Sequence, residues 1–446
     1  MRLLVFHGYM LRGTGSNIYN VNLARALARL GHEVHLLCQD REVRIEGVRI
    51  HNPDIGRLLP VYVRDPYEGF EVKTFPELTA AELGRYVDAN VAAVREVAAA
   101  AGGIDLALAN HLVMGPAILA RANVAPFAAK VHGSALEYTV KPHPRFLPWA
   151  REGIEAAAGV LVGSRHTAES LWAALPGLPG LAEKTRLGPP GVDVEEFRPR
   201  GGREPLVAFV GKLIAAKGAD LLLAAWPLVH AAHPEARLEV VGFGADEGAL
   251  RRLLASLERG DLDGARAVAR GGWALEGEPT PLPILGAFLA HPPEGYAEMG
   301  RAAAGSVELV GRLEHREVAE LLPRAEAMVM PSTFAEAFGM VAVEAAACGT
   351  LPVSAGHSGM LEVSRLLAAD LPEAVSPLTS FALEAGAVEA IAARLSAWLS
   401  LPEGEREAAR EALVGTVRRL WSWEGVARGV LAAAAGELAD LPRPVD

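Results

Sequence analysis

Residues 1–40 read MRLLVFHGYMLRGTGSNIYNVNLARALARLGHEVHLLCQD, and this opening stretch decides the class of fold. The apolar run Leu3–Phe6 predicts a short buried strand, and Glu33–Cys38 predicts the next one. Between them, apolar residues recur at helical spacing: Val21, Leu23, Ala24, Leu27, Ala28 and Leu30. Gly31 supplies the helix stop. Strand, helix and strand in this order form a βαβ unit, which implies a parallel sheet with helices on its faces.

The same pattern continues in two separate series along the chain. The further strand candidates are Ile104–Ala109, Phe127–Val131 and Gly159–Val162, and then Leu206–Val210, Leu238–Val241, Val307–Val310, Ala327–Met330 and Thr350–Ser354. Prolines and glycines within residues 189–202 mark a linker between the two series. We therefore predict an α/β protein with two doubly wound, Rossmann-like domains, residues 1–195 and 203–420, facing a central cleft.

Two further segments modify this plan. Residues 258–305, rich in Gly, Pro and Ala, interrupt the second series as an insertion. A lid, a partner surface and a plain surface elaboration all remain open for it, the last being the most common. The final helical pattern, Trp421–Leu438, is predicted to cross back to the first domain.

The composition restricts the classes of function. Lys and Arg number 43 against 54 Asp and Glu, a formal net charge of −11, which argues against a general nucleic-acid binder. Cys38 and Cys348 are the only cysteines, so no disulfide framework exists and a reducing compartment fits. We see no signal-peptide pattern and no run of about 18 apolar residues. These features predict a cytoplasmic protein whose membrane contact is at most peripheral.

Two lysines stand out in the second half of the sequence. The chain has six lysines, and Lys212 and Lys217 lie five positions apart in the loop after a predicted buried strand. Fixed cations at the carboxyl end of a strand suit a diphosphate leaving group, whose negative charge grows as its bond to a transferred group breaks. The alternative is a pair of solvated surface lysines.

The strongest signal is the segment PSTFAEAFGMVAVEAAACG, residues 331–349. A predicted buried strand runs into a turn that contains Glu336, and an apolar helix starts near Phe338. Glu344 lies two turns along that helix among Ala, Val and Met, where a carboxylate is costly unless it is paired or bound to hydroxyl groups. Ribose hydroxyls would satisfy it; the alternative is a structural salt bridge.

The first half offers weaker candidates. The loop containing Gly13, Thr14 and Gly15 lies between a strand and a helix start, where backbone N–H groups can approach a phosphate, although a tight turn without a ligand is as common. His132 follows a predicted strand, and a lone histidine there is more often structural than catalytic. The polar loop after it could receive an acceptor molecule through Glu137, Tyr138, Lys141 and Arg145. The two cations in this loop would suit an anionic acceptor.

Taken together, these motifs resemble the retaining GT-B glycosyltransferases of family 4, also called glycosyl transferases group 1. The resemblance runs almost end to end. The segments that carry it are GTG at 13–15, GHEV at 31–34, PGVD at 190–193, VGK at 210–212 with KG at 217–218, VGFG at 241–244, VGRL at 310–313, the glutamate pair within residues 331–349, and WSWE at 421–424.

The resemblance implies a role for each candidate residue. Lys212 and Lys217 would grip the donor diphosphate, Glu336 would lie by the donor sugar and Glu344 would bind the ribose. His132 would contact the donor sugar and assist transfer. The remaining implied donor-binding residues are Gly13, Gly15, Phe338, Gly339 and Met340. The reaction would transfer a hexosyl group from a nucleotide-diphosphate sugar to a hydroxyl acceptor with retention, without a metal or cofactor.

One departure from the family pattern and two alternative functions remain to be considered. The family usually has arginine where Lys212 stands, so the bidentate fork is lost. A NAD-dependent Rossmann oxidoreductase is one rival, supported by Asp40 after the second strand, but it leaves the glutamate pair unexplained. A protein that binds nucleotide sugar without turnover is the other. The nucleotide, the sugar, the acceptor and the oligomeric state stay open.

Overall fold

A computed structural model describes residues 1–12, 15–64, 67–272 and 281–444 of the chain. The chain divides into two compact units. The first comprises residues 1–191 together with 421–446, and the second comprises residues 192–420. Each unit is built on its own parallel sheet.

The first unit contains a seven-stranded sheet. Its strands are β1 (Arg2–Phe6), β2 (Glu33–Leu37), β3 (Val48–His51), β6 (Leu106–Asn110), β7 (Phe127–Val131), β8 (Gly159–Val162) and β9 (Thr185–Leu187). A separate two-stranded sheet is formed by β4 (Leu58–Val61) and β5 (Glu71–Thr74). The large sheet has the order β3-β2-β1-β6-β7-β8-β9, and all its pairs are parallel.

The described residues of this unit also form seven α-helices. They are α1 (Gly15–Arg29), α2 (Ala80–Ala100), α3 (Gly115–Ala122), α4 (Leu147–Ala156), α5 (Arg165–Ala174), α6 (Leu181–Lys184) and the final helix α17 (Trp423–Ala435). Helix α1 ends where predicted, because Gly31 adopts a positive φ of 84° that turns the chain into β2. Helix α17 packs against α1 and the central strands, and Trp423 closes on Gly191, where an added Cβ would lie 2.9 Å from the indole.

The second unit contains a six-stranded parallel sheet. Its strands are β10 (Leu206–Val210), β11 (Arg237–Val241), β12 (Val307–Gly311), β13 (Ala327–Met330), β14 (Leu351–Ala355) and β15 (Ser380–Phe381). Their order is β12-β11-β10-β13-β14-β15. The order of the strands reverses direction between β10 and β13, so the loops that follow these two neighbouring strands lie at the switch point where ligands bind in such sheets.

The helices of the second unit flank this sheet. They are α7 (Ala219–Ala232), α8 (Glu247–Glu258), α9 (Leu262–Gly271), α10 (Pro283–Ala290), α11 (Tyr296–Ala302), α12 (His315–Leu321), α13 (Met340–Ala347), α14 (Ser358–Ala368), α15 (Ala387–Ser400) and α16 (Glu403–Leu420). None of the helices in the described part of the chain combines the length and the apolar character needed to cross a bilayer.

The insertion at residues 258–305 is largely helical. It contributes α9, α10 and α11, while its residues 273–280 lie outside the described part. Tyr296 is almost fully buried and donates a hydrogen bond from Oη to the Ala224 carbonyl of α7 at 2.6 Å. Leu285 and Phe288 of α10 are buried as well. The segment therefore shares the hydrophobic interior of the second unit.

Candidate functional site

The turn that carries Lys217 is fitted against the loop that follows β13. Gly218 adopts a φ of 65°, and a Cβ at this position would lie 2.0 Å from the Pro331 carbonyl oxygen. Thr333 completes the contact: its N–H donates to the Ala216 carbonyl at 2.9 Å and its Oγ1 donates to the Ala215 carbonyl at 3.0 Å. Only glycine permits this approach, so the sequence Lys-Gly fixes where the lysine side chain starts.

This fit brings Lys217 to Glu336, 119 residues further along the chain. The Lys217 Nζ donates a hydrogen bond to Glu336 Oε1 and forms an ion pair with it. Ser332 Oγ donates to the same carboxylate oxygen at 2.9 Å. The side chains of Lys217 and Glu336 keep 29% and 21% of their surface exposed, so both remain open to a ligand. Lys212 lies half-buried in the loop after β10, on the approach to the same turn.

The backbone of the Glu336 loop is held by the start of α14. Glu336 N–H donates to Ser358 Oγ at 3.0 Å, and Gly359 N–H donates to the Glu336 carbonyl at 2.9 Å. A Cβ on Gly359 would lie 2.4 Å from the Ala337 carbonyl oxygen, so a larger residue would push the loop away. The His357 ring bonds the Ser332 carbonyl at 2.8 Å. The acidic loop is thus held by hydrogen bonds to its backbone at Ser332 and on both sides of Glu336.

Helix α13 begins near Phe338, as the sequence indicates. Gly339 caps it with a φ of 99°, so the first helical residue is Met340. Phe338 is buried beside this cap. The first N–H groups of α13 therefore lie directly after the Glu336 loop, where a helix start favours negative charge.

Glu344 is buried in α13, and its partner is His315 at the start of α12. The His315 ring bonds Glu344 Oε1 through Nε2 at 2.9 Å, and Glu344 is 5% exposed. Burial works to lower the pKa of His315, whereas the Glu344 carboxylate and its hydrogen bond raise it, and the net shift is upward. The carboxylates of Glu196 and Asp193 add to the upward shift. Glu344 thus has a structural partner in His315, the alternative that the sequence left open beside ribose.

His315 is a residue that the sequence reading missed. It stands two positions after the VGRL segment at 310–313 and 29 residues before Glu344, so nothing local joins the two. A buried carboxylate without a cation on its own helix was the available signal, since such a group requires a partner from elsewhere.

In the first unit, His132 lies among aromatic and polar side chains after β7. Its Nε2 bonds Asn110 Oδ1 at 2.8 Å, and its ring lies 5.0 Å from those of Tyr19 and His111. Burial lowers the pKa of His132 well below its ordinary value, with further lowering by His111, Lys130 and His7. The imidazole is therefore neutral near pH 7 and can accept a hydrogen bond.

The predicted acceptor-binding residues are engaged with the protein itself. Residues 135–140, predicted as a loop, form a π-helical turn that includes Glu137 and Tyr138. Lys141 Nζ bonds Glu137 Oε2 at 2.6 Å and Ser170 Oγ at 3.1 Å. Arg145 donates to the Phe75, Pro76 and Leu78 carbonyls at 2.7–3.1 Å. Their acceptor role stays a prediction.

The remaining predictions concern glycines and metals. Gly13 and Thr14 lie outside the described residues, and Gly15 is the first residue of α1. Within the described ranges, no group of three or more His, Cys, Asp or Glu side chains is arranged to hold a metal ion.

Comparison with known structures and proteins defines the class. The structure matches that of sucrose-phosphate synthase from Thermosynechococcus elongatus with a TM-score of 0.62 at 19% identity, over 98% of this chain and 99% of that one. The α/β fold with two parallel-sheet units is that of GT-B glycosyltransferases. Residues 13–196 match the family model Glycosyltransferase Family 4, and residues 301–413 match Glycosyl transferases group 1. The chain belongs to this glycosyltransferase family.

Two curated relatives are similar over part of their length. A GDP-mannose-dependent monoacylated alpha-(1-6)-phosphatidylinositol monomannoside mannosyltransferase of Corynebacterium glutamicum is 26% identical over 261 residues, 53% of this chain and 52% of that protein. A D-inositol 3-phosphate glycosyltransferase of Segniliparus rotundus is 32% identical over 265 residues, 56% of this chain and 46% of that protein. The matches thus span about half the length of each relative.

Proposed function

We propose that the protein transfers a hexosyl group from a nucleotide-diphosphate sugar to a hydroxyl acceptor, with retention of anomeric configuration and without a metal ion. The observation that carries this proposal is the Lys217–Glu336 pair, held by the Gly218 turn and followed by the glycine-capped start of α13. A cation, a carboxylate and a helix start, which the contact between two loops brings together, match the parts of a nucleotide sugar: diphosphate, sugar hydroxyls and developing charge.

Each part of the donor has a partner in this proposal. Lys217 and Lys212 neutralise the diphosphate as it leaves, so no bound metal is required for that charge. Glu336 keeps its carboxylate beside Lys217 and accepts hydrogen bonds from donor-sugar hydroxyls. His315 occupies Glu344 Oε1, which leaves Oε2 to accept from the ribose. His132, neutral in its buried setting, accepts a hydrogen bond from a sugar hydroxyl.

Retention follows if the acceptor hydroxyl attacks from the side that the diphosphate leaves. The leaving phosphate oxygen then takes the acceptor proton, and the new bond forms on the face where the old one breaks. No side chain has to become a nucleophile in this route.

An anionic acceptor is part of the proposal. The names of both curated relatives describe inositol phosphates or phosphatidylinositol derivatives. Lys141 and Arg145 are the cations placed near the π-helical turn, although each already has partners in the protein. The test is the acceptor KM, which should rise several-fold in Lys141→Gln. An unchanged acceptor KM in both Lys141→Gln and Arg145→Gln would contradict the proposal of an anionic acceptor.

A direct transfer assay tests the main proposal. The protein is incubated in EDTA with UDP-, GDP-, ADP- and TDP-sugars and with inositol phosphate acceptors, and the product anomer is read from the one-bond ¹³C–¹H coupling of its anomeric carbon. Glu336→Gln should bind nucleotide but lose transfer. Binding without transfer in the unaltered protein would instead favour a non-catalytic nucleotide-sugar-binding protein, and binding of NAD alone would favour an oxidoreductase.

A further inference from the structure

A chain of hydrogen bonds in the first unit connects the ends of three neighbouring strands. His7 follows β1, Asn110 ends β6 and His132 follows β7, while Asn20 lies on α1 between them. The bonds run from His7 to Asn20 at 3.0 Å, from Asn20 to Asn110 at 2.7 Å and from Asn110 to His132 at 2.8 Å. His7, Asn20 and Asn110 are each at most 3% exposed, so water does not compete for these bonds.

Backbone carbonyls fix the direction of the bond to His132. Asn110 Nδ2 lies 3.2 Å from the Phe6 carbonyl oxygen, and a carbonyl can only accept, so this side of the amide must be the NH₂ group. The other side is therefore the carbonyl Oδ1, which faces His132 Nε2. Because Oδ1 can only accept, Nε2 must carry the proton. The lone pair of the neutral ring is then on Nδ1.

The bonds at the His7 end of this hydrogen-bond chain give the same donor-to-acceptor direction independently. Asn20 Nδ2 donates to the Ser16 carbonyl at 2.8 Å, which fixes its amide and leaves Asn20 Oδ1 to accept from Asn110. Asn20 Nδ2 also donates to His7 Nδ1, so the proton of His7 is on Nε2. That proton points to the Met10 carbonyl at 2.9 Å. All donors and acceptors in the chain agree.

We propose that Asn110 is a positioning residue that holds neutral His132 as the Nε2–H tautomer, with the Nδ1 lone pair directed to accept a hydrogen bond from a hydroxyl group of the sugar substrate. The use of this lone pair in transfer rests on the proposed function; the tautomer does not. The hydrogen bond that His132 makes within the described part of the chain is through Nε2, and its half-buried side chain leaves Nδ1 for a substrate.

The setting of His132 supports a single neutral tautomer. The groups that face it are Asn110, Tyr19, His111, His7 and Lys130, and no carboxylate within the described part of the chain bonds to it. Burial lowers the pKa of Lys130 itself to about 7. Burial lowers the pKa of His132 well below the ordinary value, and the neighbouring His111 and Lys130 lower it further. A protonated ring would have two N–H donors and no acceptor, so this setting keeps the lone pair available.

The tautomer can be observed without any substrate. In the full-length protein labelled with ¹⁵N-histidine, long-range ¹H–¹⁵N spectra distinguish a protonated ring nitrogen from one with a lone pair, and His132→Gln assigns the signal. We expect Nε2 protonated and Nδ1 unprotonated in the unaltered protein, and a mixed or reversed state in Asn110→Leu. A lone pair on Nε2 in the unaltered protein would overturn the proposal.

Kinetics separate positioning from a structural role. Asn90→Leu is the matched control, because Asn90 is also fully buried in the first unit and, among the described residues, its side chain bonds the Tyr86 carbonyl and no member of the hydrogen-bond chain. Asn110→Leu should lower kcat roughly 10- to 100-fold with the donor KM within about twofold. This loss is at or below the low end of the roughly 100- to 10,000-fold contribution of an acid–base group, because the ring remains and only its orientation is lost. Asn90→Leu should not change kcat. Equal losses in the two variants would refute positioning.

A second variant covers a failure of Asn110→Leu to fold. Asn110→Asp keeps an acceptor at Nε2, and its second oxygen has to carry a proton to donate to the Phe6 carbonyl and to Asn20 Oδ1, so the neutral acid should retain the Nε2–H tautomer. A lone pair on Nε2 in Asn110→Asp would count against the contact. If the tautomer is as expected but no sugar nucleotide is turned over, the proposed function fails while the assignment of the ring stands.

Discussion

Replacing Gly218 with alanine tests how the Lys217 turn is held in place. The residue has a φ of 65°, and the new Cβ would lie 2.0 Å from the Pro331 carbonyl oxygen, far inside contact distance. The left-handed conformation costs an alanine about 1–2 kcal/mol, and relieving an overpacked contact costs about 1–3 kcal/mol more. Reduced freedom of the unfolded chain returns up to about 1 kcal/mol.

The matched control is Gly305→Ala. Gly305 has a φ of 77° but no atom within 4 Å of an added Cβ, so it shares the backbone penalty without the clash. Urea unfolding should therefore show Gly218→Ala about 1–3 kcal/mol less stable than Gly305→Ala. This difference is the cost of the Cβ clash, because the two variants share the backbone penalty. Nucleoside diphosphate affinity should fall in Gly218→Ala only, since Lys217 moves with its turn. Equal stabilities, or unchanged nucleotide affinity in both variants, would refute this account of the turn.

Three further predictions follow from ion pairs of the second unit. Because the pKa of His315 is raised in the fold, its pairing with Glu344 stabilises fully below the unfolded-state value of about 6.5 and is lost as the pH rises through the raised value. Glu344→Gln should thus lower the urea midpoint more at about pH 5.5 than at about pH 8.5, and an equal loss at both would contradict the pairing. Lys217→Met should weaken diphosphate binding by roughly 10- to 100-fold in calorimetry, the loss of one charge-assisted contact, with Lys217→Arg retaining most of the affinity. Arg410 donates to both oxygens of buried Glu326 at 3.1 and 2.8 Å, and Arg406 lies 3.6 Å from the same carboxylate, so Arg410→Met should cost up to about 3–5 kcal/mol of unfolding free energy, and a cost below about 1 kcal/mol would show that Arg406 alone satisfies Glu326.

Much of the fold could be predicted because buried parallel strands are continuous apolar runs. Leu206–Val210 and Ala327–Met330 are strands with the predicted bounds. Strands without such runs were missed: Val48–His51 alternates with charged residues and is only partly buried, and Ser380–Phe381 has two residues. The alternation in Val48–His51 is at the shortest length at which period 2 indicates a strand, and Ser380–Phe381 is below it.

The candidate site could be predicted residue by residue but not as an arrangement. The sequence predicts that Lys217 and Glu336 lie in loops, since each follows a predicted buried strand. Their contact depends on β10 lying beside β13, which is a property of strand order. His315 and Asn110 were missed for the same reason, because each acts through a partner more than 20 residues away.

The central claim, that a nucleotide-diphosphate sugar is the donor, is tested most directly by thermal unfolding with UDP, GDP, ADP, TDP, NAD and the corresponding sugar conjugates in EDTA. A ligand at 100 times its Kd stabilises the folded state by about 2.7 kcal/mol. At roughly 2–4 °C per kcal/mol for a domain of about 200 residues, that is a rise of about 5–11 °C in Tm. The account predicts such a rise with one nucleoside diphosphate and its sugar conjugates, unchanged by Mg²⁺ and lost in Glu344→Ala. A rise with NAD alone, or with none of these ligands, would contradict it.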